Sequence, residues 1–291
     1  GGSMSAVDIS ELLVDDIDQK WIMKRKDGYL TVFTDNNTID DVSDDRVKIL
    51  TAATGNGAIT GNKVYSFAVD DDGEVWVGTD EGVCVFYSPS KIFQSGENFD
   101  ASQILVPRND GSGLADILLE TETVTAITID GANGKWIGTD RAGVFLLSED
   151  GLKQIHHFTT DNSPLLSNNI TDIAINEDGE VFFGTANGII SYKSTAAPVD
   201  PKGMENVYAY PNPVRENFTG LIGIKGLING VSVKITDTYG NIVYETVSEG
   251  GQAVWDGKDF NGRRAATGVY VVFVTNSDGT QTAVTKILFI N

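Results

Sequence analysis

The residue types that carry catalysis or bind metals are sparse in this sequence and poorly spaced for either task. His156 and His157 are the only two histidines, and adjacent strand residues point to opposite faces, so they cannot readily share one metal ion. Cys84 is the single cysteine and lies in the apolar run Val-Cys-Val-Phe, which is typical of a small core residue. No serine stands in a nucleophile-elbow motif. We therefore predict no catalytic, cofactor-binding or metal-binding residue, and the binding residues stay open.

Acidic and basic clusters are the remaining candidates for ligand contacts. The aspartates at 70–72 and the segment 256–259 offer several carboxylates, but neither follows the spaced pattern ending in Glu of an EF-hand loop. Turn formation is the leading interpretation of these aspartates, and Ca²⁺ binding is the alternative. Arg263 and Arg264 are interpreted as part of a solvated loop, with contact to an anionic partner as the alternative.

The charge balance limits the partners. The chain has 291 residues, with 41 Asp and Glu against 21 Lys and Arg, and its net charge is −20. Such a chain repels phosphate backbones and anionic lipid surfaces, so we predict no nucleic-acid partner and no membrane docking by charge alone. No apolar run approaches the roughly 20 residues that a membrane helix needs. Residues 1–4 are typical of a purification-tag remnant, so we expect the native targeting segment to have been removed.

An internal repeat organises the first two thirds of the chain. Four aromatic residues recur at intervals of about 45–60 residues, close to the period of propeller blades: Trp21, Trp76, Trp136 and Phe182. Each follows an apolar run and a turn rich in Asp, Asn or Gly, and the last three copies continue with Gly-Thr. This pattern predicts a strand, a hairpin turn and a second strand. The aromatic residues are interpreted as packing between blades, with sugar platforms as the alternative.

These repeats resemble the two-component-regulator propeller family, whose hallmark is an Asp/Gly turn followed by Trp-Ile-Gly-Thr and Gly-Leu. The resemblance covers roughly residues 5–193 and indicates a fold rather than a ligand. Propellers of this family usually close with about seven blades. We therefore expect the four repeats to be part of a larger propeller.

The pattern changes after residue 195. Residues 196–204 combine small residues with two prolines, which is typical of an interdomain linker. The remainder alternates apolar and polar residues in short runs, which predicts about six or seven strands. We predict β-propeller blades at 1–195, a linker at 196–204 and an Ig-like β-sandwich at 205–291, so the fold class is all-β.

The C-terminal segment resembles the sorting domains of the Bacteroidetes type IX (Por) secretion system. The shared features are Tyr-Pro-Asn-Pro at 210–213, Asp-Thr-Tyr-Gly-Asn-Ile-Val-Tyr at 237–244, Gly-Val-Tyr at 268–270 and Lys286 before the last apolar residues. Together with Ser-Pro-Leu-Leu-Ser-Asn-Asn at 163–169, they make the chain similar to the C-terminal region of PorZ-type proteins.

The PorZ-type resemblance implies a non-enzymatic scaffold or binding component in the cell envelope, at the outer-membrane surface or in the periplasm. The implied partners are the sortase and outer-membrane components of the secretion system. The implied ligand is the glycan of anionic lipopolysaccharide, presented to the sortase complex, and no cofactor is implied. The sorting domain is then retained as an interaction module.

Three rival functions stay open. A polysaccharide-sensing propeller of a two-component sensor predicts a membrane helix and a kinase downstream. A propeller lyase or glycan hydrolase predicts a funnel with clustered histidines, carboxylates or a metal, to which two adjacent histidines are poorly suited. A secreted cargo protein predicts that the sorting domain is cleaved from the mature protein.

Overall fold

The computed structural model describes residues 9–24, 28–200 and 202–290. In this part of the chain β-strands carry nearly all the regular structure, and the only helices are two single 3₁₀ turns, Pro89–Lys91 and Met204–Asn206. The four repeats form successive antiparallel sheets, and a separate two-sheet sandwich follows. The predicted all-β class, with propeller blades followed by an Ig-like sandwich, is confirmed.

Each blade is a meander in which neighbouring strands in the chain are neighbours in the sheet. The first blade has β1 (Ile9–Val14), β2 (Lys20–Lys24), β3 (Leu30–Thr34) and β4 (Arg46–Leu50). The second has β5 (Val64–Val69), β6 (Val75–Thr79), β7 (Gly82–Phe86) and β8 (Ser102–Gln103). A hairpin, β9 (Leu105–Pro107) and β10 (Ala115–Ile117), is inserted next. The third blade has β11 (Val124–Ile129), β12 (Lys135–Thr139), β13 (Val144–Leu147) and β14 (Gln154–Phe158). The fourth has β15 (Ile170–Ile175), β16 (Glu180–Thr185) and β17 (Gly188–Lys193).

Contacts divide the chain into two compact units. Among the described residues, the first consists of residues 9–24, 28–129, 133–174 and 182–190, and the second of residues 130–132, 175–181, 191–200 and 202–290. The domain limits expected from the sequence, at residues 195 and 205, stay predictions.

One turn recurs before the second strand of a blade. Oδ1 of Asp15 accepts hydrogen bonds from two backbone N–H groups, including that of Gln19, and Oδ2 accepts one from the indole Nε1–H of Trp21 at 2.9 Å. Asp70 makes the same three contacts in the second blade, where Trp76 is the indole donor, also at 2.9 Å. A carboxylate six residues before the tryptophan thus closes the hairpin turn and satisfies a buried donor.

The fourth repeat changes both members of this pair. Asn176 replaces the aspartate, and its Oδ1 still accepts two backbone N–H groups. Phe182 replaces the tryptophan and offers no N–H, and Asn176 is exposed, so this repeat has neither the indole donor nor the buried carboxylate of the first two blades. Phe182 is half-buried, whereas the three tryptophans are at most 1 % exposed. The reason is that the tryptophans pack against the following blade, as Trp136 does on Phe183 with 5.5 Å between ring centroids.

The Gly-Thr pair closes the next turn and lets blades approach. The Thr79 hydroxyl donates to the carbonyl of Gly82 at 3.1 Å, and the third and fourth blades repeat this contact. A Cβ on Gly78 would lie 2.8 Å from the carbonyl oxygen of Val124 in the following blade. Glycine is therefore required here by the close approach of two blades.

A buried ion pair joins the second and third blades. Nζ of Lys135 lies 3.1 Å from Oδ2 of Asp70, and both side chains are fully buried. The same ammonium donates to the carbonyl and side-chain oxygens of Asn133, at 2.8 and 3.0 Å, and lies 5.0 Å from the ring centroid of Trp76. The charge thus has the full set of partners that a buried cation needs.

The C-terminal sandwich has one sheet of three strands and one of four. Its strands are β18 (Tyr208–Tyr210), β19 (Ile222–Lys225), β20 (Ser232–Thr236), β21 (Ile242–Val247), β22 (Gln252–Trp255), β23 (Gly268–Thr275) and β24 (Thr282–Phe289). The sheets run in the orders β18-β19-β22 and β21-β20-β23-β24, with their inner faces packed in one core. Trp255 sits in this core against Tyr270 and Phe289, at 5.6 and 5.2 Å between centroids.

The Tyr-Pro-Asn-Pro segment covers the outer edge of β24. The side-chain amide of Asn212 donates to the carbonyl of Lys286 at 2.8 Å and accepts from the N–H of Leu288 at 3.0 Å. Val214 continues the pairing through its own N–H and carbonyl. The Asn212 amide thus forms the hydrogen bonds that the backbone of a neighbouring strand would form, and it covers an otherwise open sheet edge.

Candidate functional site

The two histidines lie on the outer strand β14 of the third blade. The ring of His157 stacks on Phe145 with 4.0 Å between centroids, and its Nε2 lies 2.8 Å from the carbonyl oxygen of Ala142. The ring of His156 stacks on Phe158 instead. Both side chains are half-buried in packing roles, and the structure does not bring them together on one ligand.

The other sequence candidates are engaged in local structure. Cys84 is fully buried in β7, and burial raises the pKa of its thiol, which disfavours the reactive thiolate. Asp70 closes the turn described above, and Asp259 accepts two backbone N–H groups in the same way. Arg263 pairs with Asp259 at 2.9 Å, and Arg264 donates to the carbonyl of Arg215 at 3.1 Å. Within the described ranges, no group of three or more His, Cys, Asp or Glu side chains is arranged to hold a metal ion.

A polar pocket of about 370 Å³ lies in the first unit, where loops of the first and second blades meet. We call it the amide pocket because amide side chains dominate its wall. Its lining is Ile17, Gln19, Thr34, Asn36, Asn37, Arg46, Ser90, Phe93 and Gln94. A volume of this order suits a small ligand.

Gln19 is held in the amide pocket by the recurrent turn of the first blade. Its backbone N–H donates to Oδ1 of Asp15 at 2.8 Å, and its side-chain Nε2 donates to the carbonyl of Pro89 at 3.4 Å. The residue is 6 % exposed, and its Oε1 accepts no hydrogen bond from any described residue. A buried unpaired acceptor of this kind costs about 1–3 kcal/mol of folding free energy.

Arg46 supplies the positive charge of the amide pocket. Its guanidinium donates to the carbonyl of Phe93 at 3.1 Å and to Oδ1 of Asn36 at 2.8 Å, and it lies 5.0 Å from the Phe93 ring centroid. All of these partners are neutral, and in the described chain no carboxylate pairs with Arg46. Two carboxylates of the loop between β3 and β4 have other partners. Asp35 pairs with Lys20, and Asp44 accepts a hydrogen bond from the hydroxyl of Thr38.

The repeat shows why this pocket is not acidic. The position four residues after the turn carboxylate or amide is Gln19 in the first blade, but Glu74 in the second and Glu180 in the fourth. Burial and the nearby Asp70 raise the pKa of the Glu74 carboxyl, so the site disfavours a negative charge there. Gln19 has about the same size as a glutamate but no charge, and it lines the same pocket as Arg46.

A second exposed surface lies on the outer face of the three-stranded sheet in the sandwich. Tyr208 and Tyr210 point to the same side of β18 and are 45 % and 68 % exposed, while Ala209 between them is buried. Beside Tyr208, Nζ of Lys225 pairs with Oδ1 of Asp178 at 2.6 Å, and this hydrogen bond lowers the pKa of the Asp178 carboxyl.

Neither surface was predicted from the sequence. The Tyr-Ala-Tyr alternation was a usable signal for two outward tyrosines, since strand side chains alternate. The amide pocket had no such signal, because its wall comes from separate strand ends and loops of two blades. Within the part of the chain that the structure describes, no helix is long and apolar enough to cross a membrane.

Comparison with known proteins gives matches in both the propeller blades and the C-terminal sandwich. Residues 208–290 match the secretion system C-terminal sorting domain, and residues 58–81 match the two component regulator propeller. The solved structure of PorZ, a bacterial surface component of the type IX secretion system of Porphyromonas gingivalis, is 32 % identical with a TM-score of 0.59. The match covers 97 % of this chain and 39 % of PorZ. This chain is a PorZ-type protein.

Two other solved structures are similar to the chain at lower identity. The extracellular domain of hybrid two-component system BT4673 from B. thetaiotaomicron is 13 % identical, with 97 % of this chain and 36 % of that chain covered and a TM-score of 0.40. Virginiamycin B lyase from Staphylococcus aureus is 12 % identical, with 98 % and 85 % covered and a TM-score of 0.40. None of the curated proteins compared with the chain matches it.

The PorZ-type chain thus combines propeller blades with a secretion-system sorting domain, and such a domain indicates an extracellular or cell-envelope location. The chain spans about two fifths of the length of PorZ, 39 % of it.

Proposed function

We propose that this PorZ-type protein is a non-enzymatic scaffold of the type IX secretion system that binds the sortase complex and presents lipopolysaccharide glycan to it. The observation that carries this proposal is the 32 % identity to PorZ over 97 % of the chain, together with the sorting domain at 208–290. The predicted location is the outer-membrane surface or the periplasm, and presentation of glycan to the sortase complex favours the surface.

Two surfaces support separate roles for the two units. Exposed tyrosines are typical anchors of protein interfaces, so Tyr208 and Tyr210 suit contact with protein components of the complex. The loops at one end of the blades suit glycan contact, because propellers bind ligands along loop-lined faces.

The test is a pull-down from cell envelopes with the full-length protein under gentle detergent extraction. We expect the sortase and lipopolysaccharide in the eluate, and a reduced sortase yield for Tyr208→Ala and Tyr210→Ala. Tyr239→Ala is the matched control, because Tyr239 is 90 % exposed in a different turn of the sandwich. Recovery of neither partner would contradict the proposal.

Secreted cargo is a second candidate function, because the match to the sorting domain does not distinguish a retained domain from one that is removed. A cargo protein loses this domain during export, so the two functions differ in the mature mass.

A further inference from the structure

We infer that the outer face of the four-stranded sheet in the sandwich is an interface between two copies of this chain. We call it the sandwich face, and it is formed by the outward side chains of β20, β21, β23 and β24. The inference goes beyond the proposed function, because a homodimer needs neither the sortase nor a glycan. The sandwich face belongs to the second unit and lies on the other sheet from Tyr208 and Tyr210.

The sandwich face exposes a continuous apolar surface. Strand side chains alternate, so the residues between the buried ones of β23 and β24 point outward. Val269 lies directly opposite Leu288, and Phe273 lies directly opposite Val284. Contiguous apolar patches on a folded surface mark interaction sites. Six apolar side chains of this face are 40–62 % exposed, namely Ile242, Val247, Val269, Phe273, Val284 and Leu288.

The charges of the sandwich face make it complementary to itself. Glu245 lies on the edge strand β21, and Lys286 lies on the opposite edge strand β24, with β20 and β23 between them. A two-fold axis parallel to the strands, between β20 and β23, lays β24 of one copy over β21 of the other. The same operation brings the apolar residues of β23 to the centre of the contact. Each copy thus offers an anionic edge to the cationic edge of the other.

The strand register brings the two opposite charges within reach of each other. Glu245 lies in one row across the sheet with Lys234, Phe273 and Val284. Lys286 is two residues from Val284, which is an offset of about 7 Å along the strand. The flexible four-carbon stem of a lysine can span this offset.

Both edge residues have the capacity for a contact with a second copy. In the ranges that the structure covers, no carboxylate pairs with Lys286. Oε1 of Glu245 lies 3.2 Å from Nζ of Lys234, and both side chains of this pair are nearly half exposed. An ionised carboxylate can accept several hydrogen bonds, so Glu245 can also receive a second ammonium group.

The charge distribution along the chain permits two copies to meet at the sandwich. Residues 202–290 contain eight Lys and Arg and eight Asp and Glu, so this segment is neutral. The net charge of −20 therefore belongs to the preceding residues. A high net charge keeps protein molecules apart, whereas a net charge near zero favours association. The sandwich is thus the part of the chain where self-repulsion is lowest.

The size of the sandwich face sets the strength of the dimer. Its four strands have five to eight residues each. With about 4.8 Å between strands and about 3.4 Å per residue, the face covers roughly 450 Å² per copy. A standard interface buries about 800 Å² per partner, so this one is small. We expect a reversible dimer with a Kd of roughly 10–100 µM.

The experiment is sedimentation velocity of the full chain at concentrations from well below to well above this Kd. We expect the weight-average mass to rise from that of one chain towards that of two. Val284→Asp should raise the Kd at least about tenfold, because it puts a carboxylate into the apolar surface. Leu221→Asp is the matched control and should leave the Kd unchanged, since Leu221 is 53 % exposed just before β19 of the other sheet. A chain that stays monomeric throughout, or a Val284→Asp variant that dimerises like the native chain, would overturn the inference.

A charge exchange tests the two-fold arrangement itself. Lys286→Glu places two carboxylates at each edge contact, and Glu245→Lys places two ammonium groups there. Each variant alone should therefore dimerise at least about tenfold more weakly than the native chain. A mixture of the two variants restores opposite charges at both edges, so its mixed dimers should approach the native affinity.

The indole signal of Trp255, which lies in the sandwich core, should be unchanged in each variant and reports that the sandwich is folded. A mixture that dimerises no better than its two components would contradict the inference. The envelope pull-down is read at the tyrosines of the other sheet, so it can fail while the dimer is observed, and the reverse also holds.

Discussion

Replacing Lys135 by Met should destabilise the first unit strongly. The substitution keeps a long apolar stem but removes the ammonium that lies 3.1 Å from Asp70, and both side chains are fully buried. Removal of one partner from a buried ion pair costs about 3–5 kcal/mol, because the other charge is left uncompensated. Asp70 retains two backbone N–H donors and the indole of Trp76, so we expect the lower part of this range, about 3 kcal/mol.

The assay is urea unfolding followed by the indole N–H signals of the four tryptophans, which separate the two units. Signals of Trp76 and Trp136 report the blades, and Trp255 reports the sandwich as an internal control. Lys20→Met is the matched control, since Lys20 occupies the same position of the first repeat but forms partly exposed pairs with Asp18 and Asp35. It should cost far less, because exposed pairs contribute little. A loss below about 1 kcal/mol for Lys135→Met would refute the reasoning.

Three further changes test the packing and charge arguments. Gly138→Ala should lower the free energy of unfolding of the blades by about 1–3 kcal/mol, measured in urea, because its Cβ would lie 2.5 Å from Cγ2 of Ile170. Gly184→Ala is the control and should cost clearly less. A Cβ there would have a threonine hydroxyl at 3.1 Å as its nearest neighbour. Glu11→Gln should raise the urea midpoint at pH 7. Burial and Asp172 raise the folded-state pKa of Glu11, so its ionised form disfavours folding above its ordinary pKa. The gain in stability should vanish once acid protonates Glu11 in both the folded and the unfolded state. A gain that persists in acid would contradict this cause. Asn212→Ala should lower the stability of the sandwich by about 1 kcal/mol, read at the Trp255 indole, because two hydrogen bonds to β24 are lost; no change would show that the edge is held by Val214 alone.

The blades could be predicted from the sequence because their signals are local. The Asp-to-Trp spacing, the glycine turns and the Gly-Thr pair all act within one hairpin, where spacing along the chain translates directly into geometry. The paired change to Asn176 and Phe182 was visible in the sequence as well. Its physical reason required the structure, which shows the indole donor and the carboxylate in contact in the earlier blades.

The amide pocket could not be predicted, because its residues are brought together only by the packing of two blades. Gln19, Arg46 and Gln94 belong to three separate segments, a turn, the start of β4 and the loop after β7, with no common spacing. The same holds for Lys135 and Asp70, which are remote in the chain and meet across a blade junction. Periodicity predicts which residues a blade buries, but not which polar groups of neighbouring blades will face each other.

The most direct test of the central claim is the mass of the native protein recovered from the cell surface. A retained component of the secretion system should keep the sorting domain, so mass spectrometry should detect peptides that span residues 208–290 in the mature protein. A mature protein that ends before residue 208 would instead identify a cargo whose sorting domain is removed, and would contradict the scaffold function.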